Sequence, residues 1–417
     1  MALGATVMPS SSSSVVSRAP SAYQRLISEC AATLQRLNQQ GLKRELRSLD
    51  AIRGPRVQVD GRTLINWCSN DYLGLSTHPV LAQAAADAAL TWGVGARASR
   101  LLAGTTRWHT QLEASLATFF NAERAMVYPS GYQANLGTLG ALIAPPDLVL
   151  LDRLAHASLV DAIRATRATL KVFHHNEVAH VASLLTRARG NGRRWIVTEG
   201  VFSMEGDAAP LCALLEVAQR RDALLYVDDA HGAFVVGATG RGSPEVAGVA
   251  HERLIYMGTL GKGLGCQGGF VIGPHALIDL LHHRARTFIY TTALAVPVAA
   301  AATAALALVQ SQEGARRRAR LEERVRQLNT RLATMTQARR QSRSHIMPVL
   351  LGEATHALAV AERLFARGHW APAIRPPTVP RGSARLRLSV TALHTAAHVD
   401  RLMDALRDAL TRQKCLR

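Results

Sequence analysis

Between about residues 105 and 275, short apolar runs alternate with amphipathic stretches. The runs are Ala125–Tyr128, Leu148–Leu151, Leu170–Phe173, Trp195–Thr198, Leu224–Val227, Leu254–Met257 and Gly269–Ile272. Helix-period stretches such as Gln111–Phe120, Ala157–Arg167, Val178–Arg189 and Leu211–Arg221 lie between several of them. Alternation of this kind predicts an α/β domain whose mostly parallel, seven-stranded sheet is covered on both faces. Ligands of such sheets bind beyond the carboxyl ends of the strands. Polar residues do follow the apolar runs there: Glu199 and Ser203, Asp228 and His231, Thr259 and Lys262.

After about residue 305 the period changes. A long charged helix (Glu313 to about Met335) precedes a strand (His345–Leu351), a helix (Thr355–Arg367), a proline-rich turn (Arg375–Pro380), a strand (Arg385–Val390) and a last helix (Ala396–Leu410). This predicts a smaller α+β domain. The expected division is a disordered tail over 1–22, an N-terminal segment over 23–69, a large domain over 70–305 and a C-terminal domain over 306–417.

Composition adds little to the fold and more to the setting. The chain has 417 residues, 48% of them hydrophobic, enough for a large core. The longest apolar stretch, Thr292–Val309, is alanine-rich and predicts a buried helix rather than a membrane span. Five scattered cysteines without zinc-type spacing fit a reducing, cytoplasmic setting and no metal site. The serine run Ser10–Ser14 sits in a stretch without acid or apolar core, which reads as a tail or, alternatively, a transit peptide. A net charge of +19 invites a nucleic-acid reading, but the arginines are dispersed and no such motif accompanies them. The densest group, Arg316-Arg317-Arg318, lies beside Glu322 and Glu323 and reads as a solvated helix face.

Lysine is scarce: Lys43, Lys171, Lys262 and Lys414 are the four among 49 basic residues. Lys262 lies between glycines just past an apolar strand. Arginine stays protonated, whereas a partly buried lysine can lose its proton and form a Schiff base with an aldehyde. Lys262 is therefore a candidate covalent anchor for pyridoxal phosphate (PLP). Asp228 ends a strand and His231 follows three residues later. A carboxylate there can pair with a pyridine nitrogen, or it can merely cap the next helix. In Tyr128-Pro-Ser-Gly-Tyr-Gln-Ala-Asn135, a small-residue turn opens a helix whose free N–H groups can bind phosphate, although Ser130 can also be only an N-cap. His156 can stack on a cofactor ring or be a structural histidine, and Ser203 can reach a cofactor or cap its loop. Alternation along Arg385-Leu-Arg-Leu-Ser-Val390 places Arg385, Arg387 and Ser389 on one face. An arginine there can clamp a carboxylate; Arg385 is read instead as part of an exposed strand face.

Together with Asn66-Trp-Cys-Ser-Asn-Asp-Tyr-Leu-Gly-Leu75 and Thr259-Leu-Gly-Lys-Gly263, these motifs resemble the α-oxoamine synthase family of fold-type-I PLP enzymes from about Leu42 onward. The resemblance implies a homodimer with its active site at the subunit interface, and roles for matching residues. Lys262 carries PLP, His156 stacks on its ring, Asp228 holds the ring nitrogen and His231 the phenolic oxygen. Gly131, Tyr132, Ser203 and Thr259 contact the cofactor or its phosphate. Arg44, Asn70, Thr378 and Arg387 contact substrates, with Arg387 on the amino-acid carboxylate. The tail Ile374–Leu388 is most similar to the branch that condenses L-alanine with a pimeloyl thioester of coenzyme A or acyl carrier protein. Sister enzymes using glycine or serine with another acyl-CoA, and a catalytically dead partner subunit, are the alternatives. The chain departs from the family at Ala96-Arg97-Ala98, where smaller residues are common; larger side chains there are expected to narrow the site or add charge.

Overall fold

The computed structural model describes residues 20–335 and 344–411. Most of the expected 1–22 tail, and Lys414, lie outside them. The described part begins with Ser21 capping a helix over Ala22–Gln39 through a capping box with Gln24. Every residue of that helix is at least partly exposed, and Tyr23, Leu26, Ile27 and Leu34 make an apolar stripe along it. The chain clusters into two units, Met1–Leu46 and Arg47–Arg417. The boundary expected at 305/306 falls inside the helix Val296–Gln310.

In the second unit, strands β1 (Ala51–Arg53), β2 (Arg56–Val59) and β3 (Arg62–Asn66) form an antiparallel meander. Seven strands follow: β4 (Arg124–Tyr128), β5 (Leu148–Asp152), β6 (Thr169–Phe173), β7 (Arg194–Glu199), β8 (Ala223–Asp228), β9 (Ile255–Thr259) and β10 (Gly269–Gly273). They make one sheet in the order β4-β10-β9-β8-β7-β5-β6. Pairing is parallel from β6 through β9, while β10 runs antiparallel to both β4 and β9. The predicted strands are thus found within one or two residues. β5 and β8 are apolar through most of their length because helices cover both sheet faces.

The later part contains β11 (Ile346–Gly352), β12 (His369–Trp370), β13 (Ala373–Ile374) and β14 (Ala384–Ser389). β14 is the centre of a three-stranded sheet between β11 and β13, and β12 pairs with β3. The short strands β12 and β13 were not expected. The predicted alanine-rich helix and the charged helix are present as Val296–Gln310 and Gln312–Met335. The charged helix is less solvated than expected. Arg317 pairs with Glu313 and reaches the Leu73 and Gly74 carbonyls, while Arg318 reaches those of Val309 and Ala238.

The topology brings the carboxyl ends of β4 to β9 to one edge of the sheet. The reversed strand β10 starts there, with Gly269 opposite both Tyr128 and Thr259. A Cβ on Gly269 would sit 2.6 Å from the Gly131 Cα, so this close approach requires glycine.

Candidate active site

β8 carries Asp228 to the sheet edge, directly beside Glu199 at the end of β7. The next residue, Asp229, turns the other way into the interior. It accepts from the Ser243 amide and hydroxyl and from Tyr256, and a Cβ on Gly200, Gly232 or Gly242 would meet its carboxylate within about 2.1 Å. Burial pushes its pKa up to about 7. Asp228 is the member of the doublet on the side of Lys262. One of its oxygens accepts from Asn135 Nδ2 at 2.7 Å and the other from the Ala230 amide. Asn135 is itself fixed by Ser158 at 2.8 Å and by the Tyr226 hydroxyl at 2.7 Å.

Lys262 follows β9, and its Nζ lies 2.7 Å from His231 Nε2. Burial lowers the Lys262 pKa to about 8; Asp228 and Glu199 oppose that shift and Arg387 adds to it. Burial also drives His231 well below its usual range, helped by Lys262 and Arg387. A neutral His231 that accepts from an ammonium at Nε2 carries its proton on Nδ1. It therefore donates to the Tyr72 hydroxyl, 2.6 Å away. Tyr72 donates to Asn70 Oδ1 at 3.0 Å and accepts from Arg387 Nη2 at 3.2 Å. His345 packs its ring against Tyr72, with centroids 3.9 Å apart; burial lowers its pKa to about 3.

Arg387 is buried on β14. It donates to the Ser203 carbonyl, Asn70 and Ser389, and among the described residues no carboxylate pairs with it. Arg385, expected on an exposed strand face, is buried too: its guanidinium pairs with Glu205 at 2.8 Å and bonds the Met204 carbonyl. The face is internal because the Ser203–Glu205 segment covers it.

The remaining predicted residues separate into two groups. His156 caps the helix Ala157–Thr166, its Nδ1 held by the Ser158 amide and hydroxyl, and Asp228 and Lys262 both act on its charge. Thr259 is buried beside Gly131, its hydroxyl spent on the Gly268 carbonyl. Ser203 is buried, its amide on Glu199. Tyr132 is exposed and bonds Asp161 through its hydroxyl. Thr378 is exposed on the turn after β13, with its amide on the Arg375 carbonyl. Arg44 is an exposed residue of the first unit. In the Ala96-Arg97-Ala98 loop, Ala96 is buried. Arg97 turns back to the Trp92 carbonyl at 2.7 Å, so its charge caps its own helix end.

The groups around Lys262 fit PLP. Ser130 caps the helix Gly131–Leu142, and the Ser130 carbonyl takes the Ala134 amide. Among the described residues the Gly131 and Tyr132 amides then have no acceptor, which is what a phosphate at a helix start requires. Opposite lies Lys262, with Asp228 and His231 on the same edge. Glu199 also faces this site: burial and Asp228 raise its pKa well above normal, and among the described residues its buried Oε1 has no hydrogen-bond partner. Sequence reading gave no role to Tyr72, Asn135 or His345, although Tyr72 and Asn135 lie inside quoted motifs.

Residues 62–406 match the family described as "Aminotransferase class I and II". The chain is 44% identical over 389 residues to the 8-amino-7-oxononanoate synthase of Herminiimonas arsenicoxydans, covering 93% of this chain and 99% of that one. It is 46% identical over 381 residues to that of Aromatoleum aromaticum, covering 91% and 98%. Among solved structures, a serine palmitoyltransferase from S. paucimobilis with a bound PLP–myriocin adduct aligns with TM-score 0.87 at 29% identity, covering 93% and 98%. The 8-amino-7-oxononanoate synthase from Francisella tularensis aligns with TM-score 0.72 at 28% identity, covering 84% and 99%.

Proposed function

The chain belongs to the class I and II aminotransferase family and groups within it with the PLP-dependent 8-amino-7-oxononanoate synthases, acyltransferases of biotin biosynthesis; on that basis we propose that it condenses L-alanine with a pimeloyl thioester, yielding 8-amino-7-oxononanoate, carbon dioxide and the free thiol carrier. The observation that carries this reading is the buried Arg387 guanidinium. It is held by neutral partners and joined through Tyr72 and His231 to the Lys262 amine. An uncompensated buried cation is costly unless an anion joins it, and the carboxylate of an amino acid supplies one.

When bound, PLP supplies an aldehyde that captures the amino acid and a ring that accepts the electron pair left at its α-carbon. Lys262 would anchor it at rest, the backbone amides of Gly131 and Tyr132 would hold its phosphate, and Ser203 and Thr259 would contact the cofactor beside them. Asp228, fixed by Asn135, would pair with the ring nitrogen and favour its protonated form. His231 would hold the phenolic oxygen, and His156, oriented by Ser158, would supply a ring to stack on the cofactor. Arg387 would orient the alanine carboxylate, with Asn70 beside it, and Thr378 would contact substrate. With its pKa near 8, Lys262 Nζ is poised to accept the α-proton and later return it. The α-carbon attacks the thioester carbonyl, the thiolate leaves, and the carboxylate departs as carbon dioxide.

The basic chain, at +19, favours an anionic acyl carrier, whether coenzyme A or an acidic carrier protein. A homodimer in the cytoplasm is part of the same reading; among the described residues no helix is long and apolar enough to cross a membrane. The serine palmitoyltransferase likeness supports a second reading, serine with a longer acyl chain. Backbone similarity does not select the amino acid, however, and the higher sequence identity is to the alanine branch. A panel of alanine, glycine and serine against pimeloyl, acetyl and long-chain thioesters, followed by thiol release, tests this. Alanine with the pimeloyl thioester is expected to have the highest kcat/KM; a higher value for serine with a long chain would reverse the assignment.

A further inference from the structure

The loop between β7 and the helix Leu211–Arg220 is folded into a closed hairpin. Val201 and Ala208 bridge across it, the Phe202 amide bonds the Asp207 carbonyl, and the Gly206 amide bonds the Phe202 carbonyl. One side of this hairpin offers the Ser203 carbonyl to Arg387 Nε, while Met204 and Glu205 take Arg385. The other side ends in Asp207, and there a different element grips it. His175, just past β6, places Nδ1 2.9 Å from Asp152 Oδ1 and Nε2 2.9 Å from Asp207 Oδ2. Asn176 reinforces both contacts: its amide bonds Asp152 at 3.0 Å and its side chain bonds Asp207 and the Ala208 carbonyl. Its φ of 58°, in the left-handed region that asparagine tolerates, aims the side chain that way. Phe202, fully buried, packs edge-on to the His175 ring with centroids 4.4 Å apart.

A ring nitrogen within 3 Å of each of two carboxylates makes both nitrogens donors, so the bridging species is the imidazolium. It ties the end of β5 to the hairpin with two charge-assisted bonds. Neither Asp152 nor Asp207 has an arginine or lysine partner among the described residues, so His175 is the cation that lets them lie together. Because the hairpin is closed by its own backbone bonds, the position of Asp207 sets that of Ser203, and Ser203 sets Arg387.

We propose that His175 is a positioning residue for the amino-acid substrate: by bridging Asp152 and Asp207 it fixes the hairpin whose Ser203 carbonyl aims the Arg387 guanidinium. The proposal rests on the reading of Arg387 as the carboxylate clamp. It deepens that reading by placing the control of the clamp on a histidine that need not touch the substrate.

The test uses PLP-loaded enzyme with His175→Gln, Asp207→Asn and the double variant. Glutamine keeps a donor for one carboxylate but cannot bridge both. Each single variant is expected to raise the alanine KM by about tenfold, as expected for a misaimed charged clamp, while kcat and the pimeloyl-CoA KM stay within about twofold. The double variant should be no worse than either single, because both break one bridge. An unchanged alanine KM, additive effects, or a joint shift of both KM values with the Tm would overturn it, since a general loss of structure moves all of these together. Arg387→Ala run in parallel separates the two layers. If it raises the alanine KM and His175→Gln does not, only the positioning role fails; if Arg387→Ala leaves that KM alone, the clamp reading fails and the positioning role with it.

Discussion

At the end of β8 two adjacent aspartates face opposite ways. Asp229 is enclosed by Ser243, Tyr256 and three glycines, whereas Asp228 reaches the sheet edge with one asparagine and one amide for partners. On β14 two arginines share one face and both are buried. Arg385 is neutralised by Glu205, whereas Arg387 has neutral partners and no carboxylate among the described residues. Each region thus uses one charged residue to hold the fold and leaves its neighbour's charge available. The two regions differ in how the division is made. On the strand end the period of two sends neighbours to opposite faces. On β14 the arginines are two apart and side by side, and only the covering hairpin tells them apart. On β14, identity and burial do not mark the functional charge; the absence of a countercharge among the described residues does.

The comparison can be broken from the strand-end side by Lys262→Ala. Turnover, followed by thiol release, should fall by at least roughly 10²–10⁴-fold with the Tm nearly unchanged; retained turnover would remove Lys262 from the chemistry. On β14, Arg387→Ala should raise the alanine KM by about 10–100-fold, the loss of a charge-assisted contact, with little change in Tm. Arg385→Ala should do the reverse, lowering the Tm by several degrees through the stranded Glu205 carboxylate while sparing the KM more. Equal behaviour of the two arginine variants would erase the distinction. Asn135→Leu should weaken PLP retention, read from visible absorbance after dialysis, by about tenfold or less, since it leaves Asp228 in place but unaimed. If retention is unchanged, Asn135 does not position Asp228.

The smallest effects are in pH dependence. With the Lys262 pKa lowered to about 8 in the cofactor-free chain, the neutral amine is scarce below that pH, so the rate at which added PLP is captured, read from visible absorbance, should rise toward a plateau above about pH 8. For His175 the sign is opposite. Its two carboxylates outweigh burial and raise its pKa from 6.5 to about 9. The bridge therefore contributes its full stability below about pH 6.5 and loses it as pH rises through about 9. The Tm of the unaltered chain should decline across that window more than that of His175→Gln; parallel curves would mean the bridge is not an imidazolium.

Much of this was legible in the sequence. Strand–helix alternation locates all seven strands of the main sheet, and Lys262, Asp228, His231, His156 and Arg387 are brought together as the motifs imply. β10 reads like its neighbours, because direction within a sheet leaves no mark on one strand's apolar pattern. Asn135 looks like any polar residue in the first turns of a helix, yet its amide bonds Ser158, 23 positions on, and Asp228, 93 positions on. Tyr72 joins a histidine 159 residues away to an arginine 315 away. Arg385 was misread because nothing on β14 announces the hairpin that buries it.

The chain by itself determines the elements and the chemical kinds of the site residues, since periodicity and side-chain chemistry are local properties. Tertiary structure alone decides which carboxylate faces Lys262, which arginine lacks a countercharge and what holds each one in place. Those depend on desolvation and on partners hundreds of residues apart. A charge becomes a reactive or binding group only through what is, and is not, packed against it.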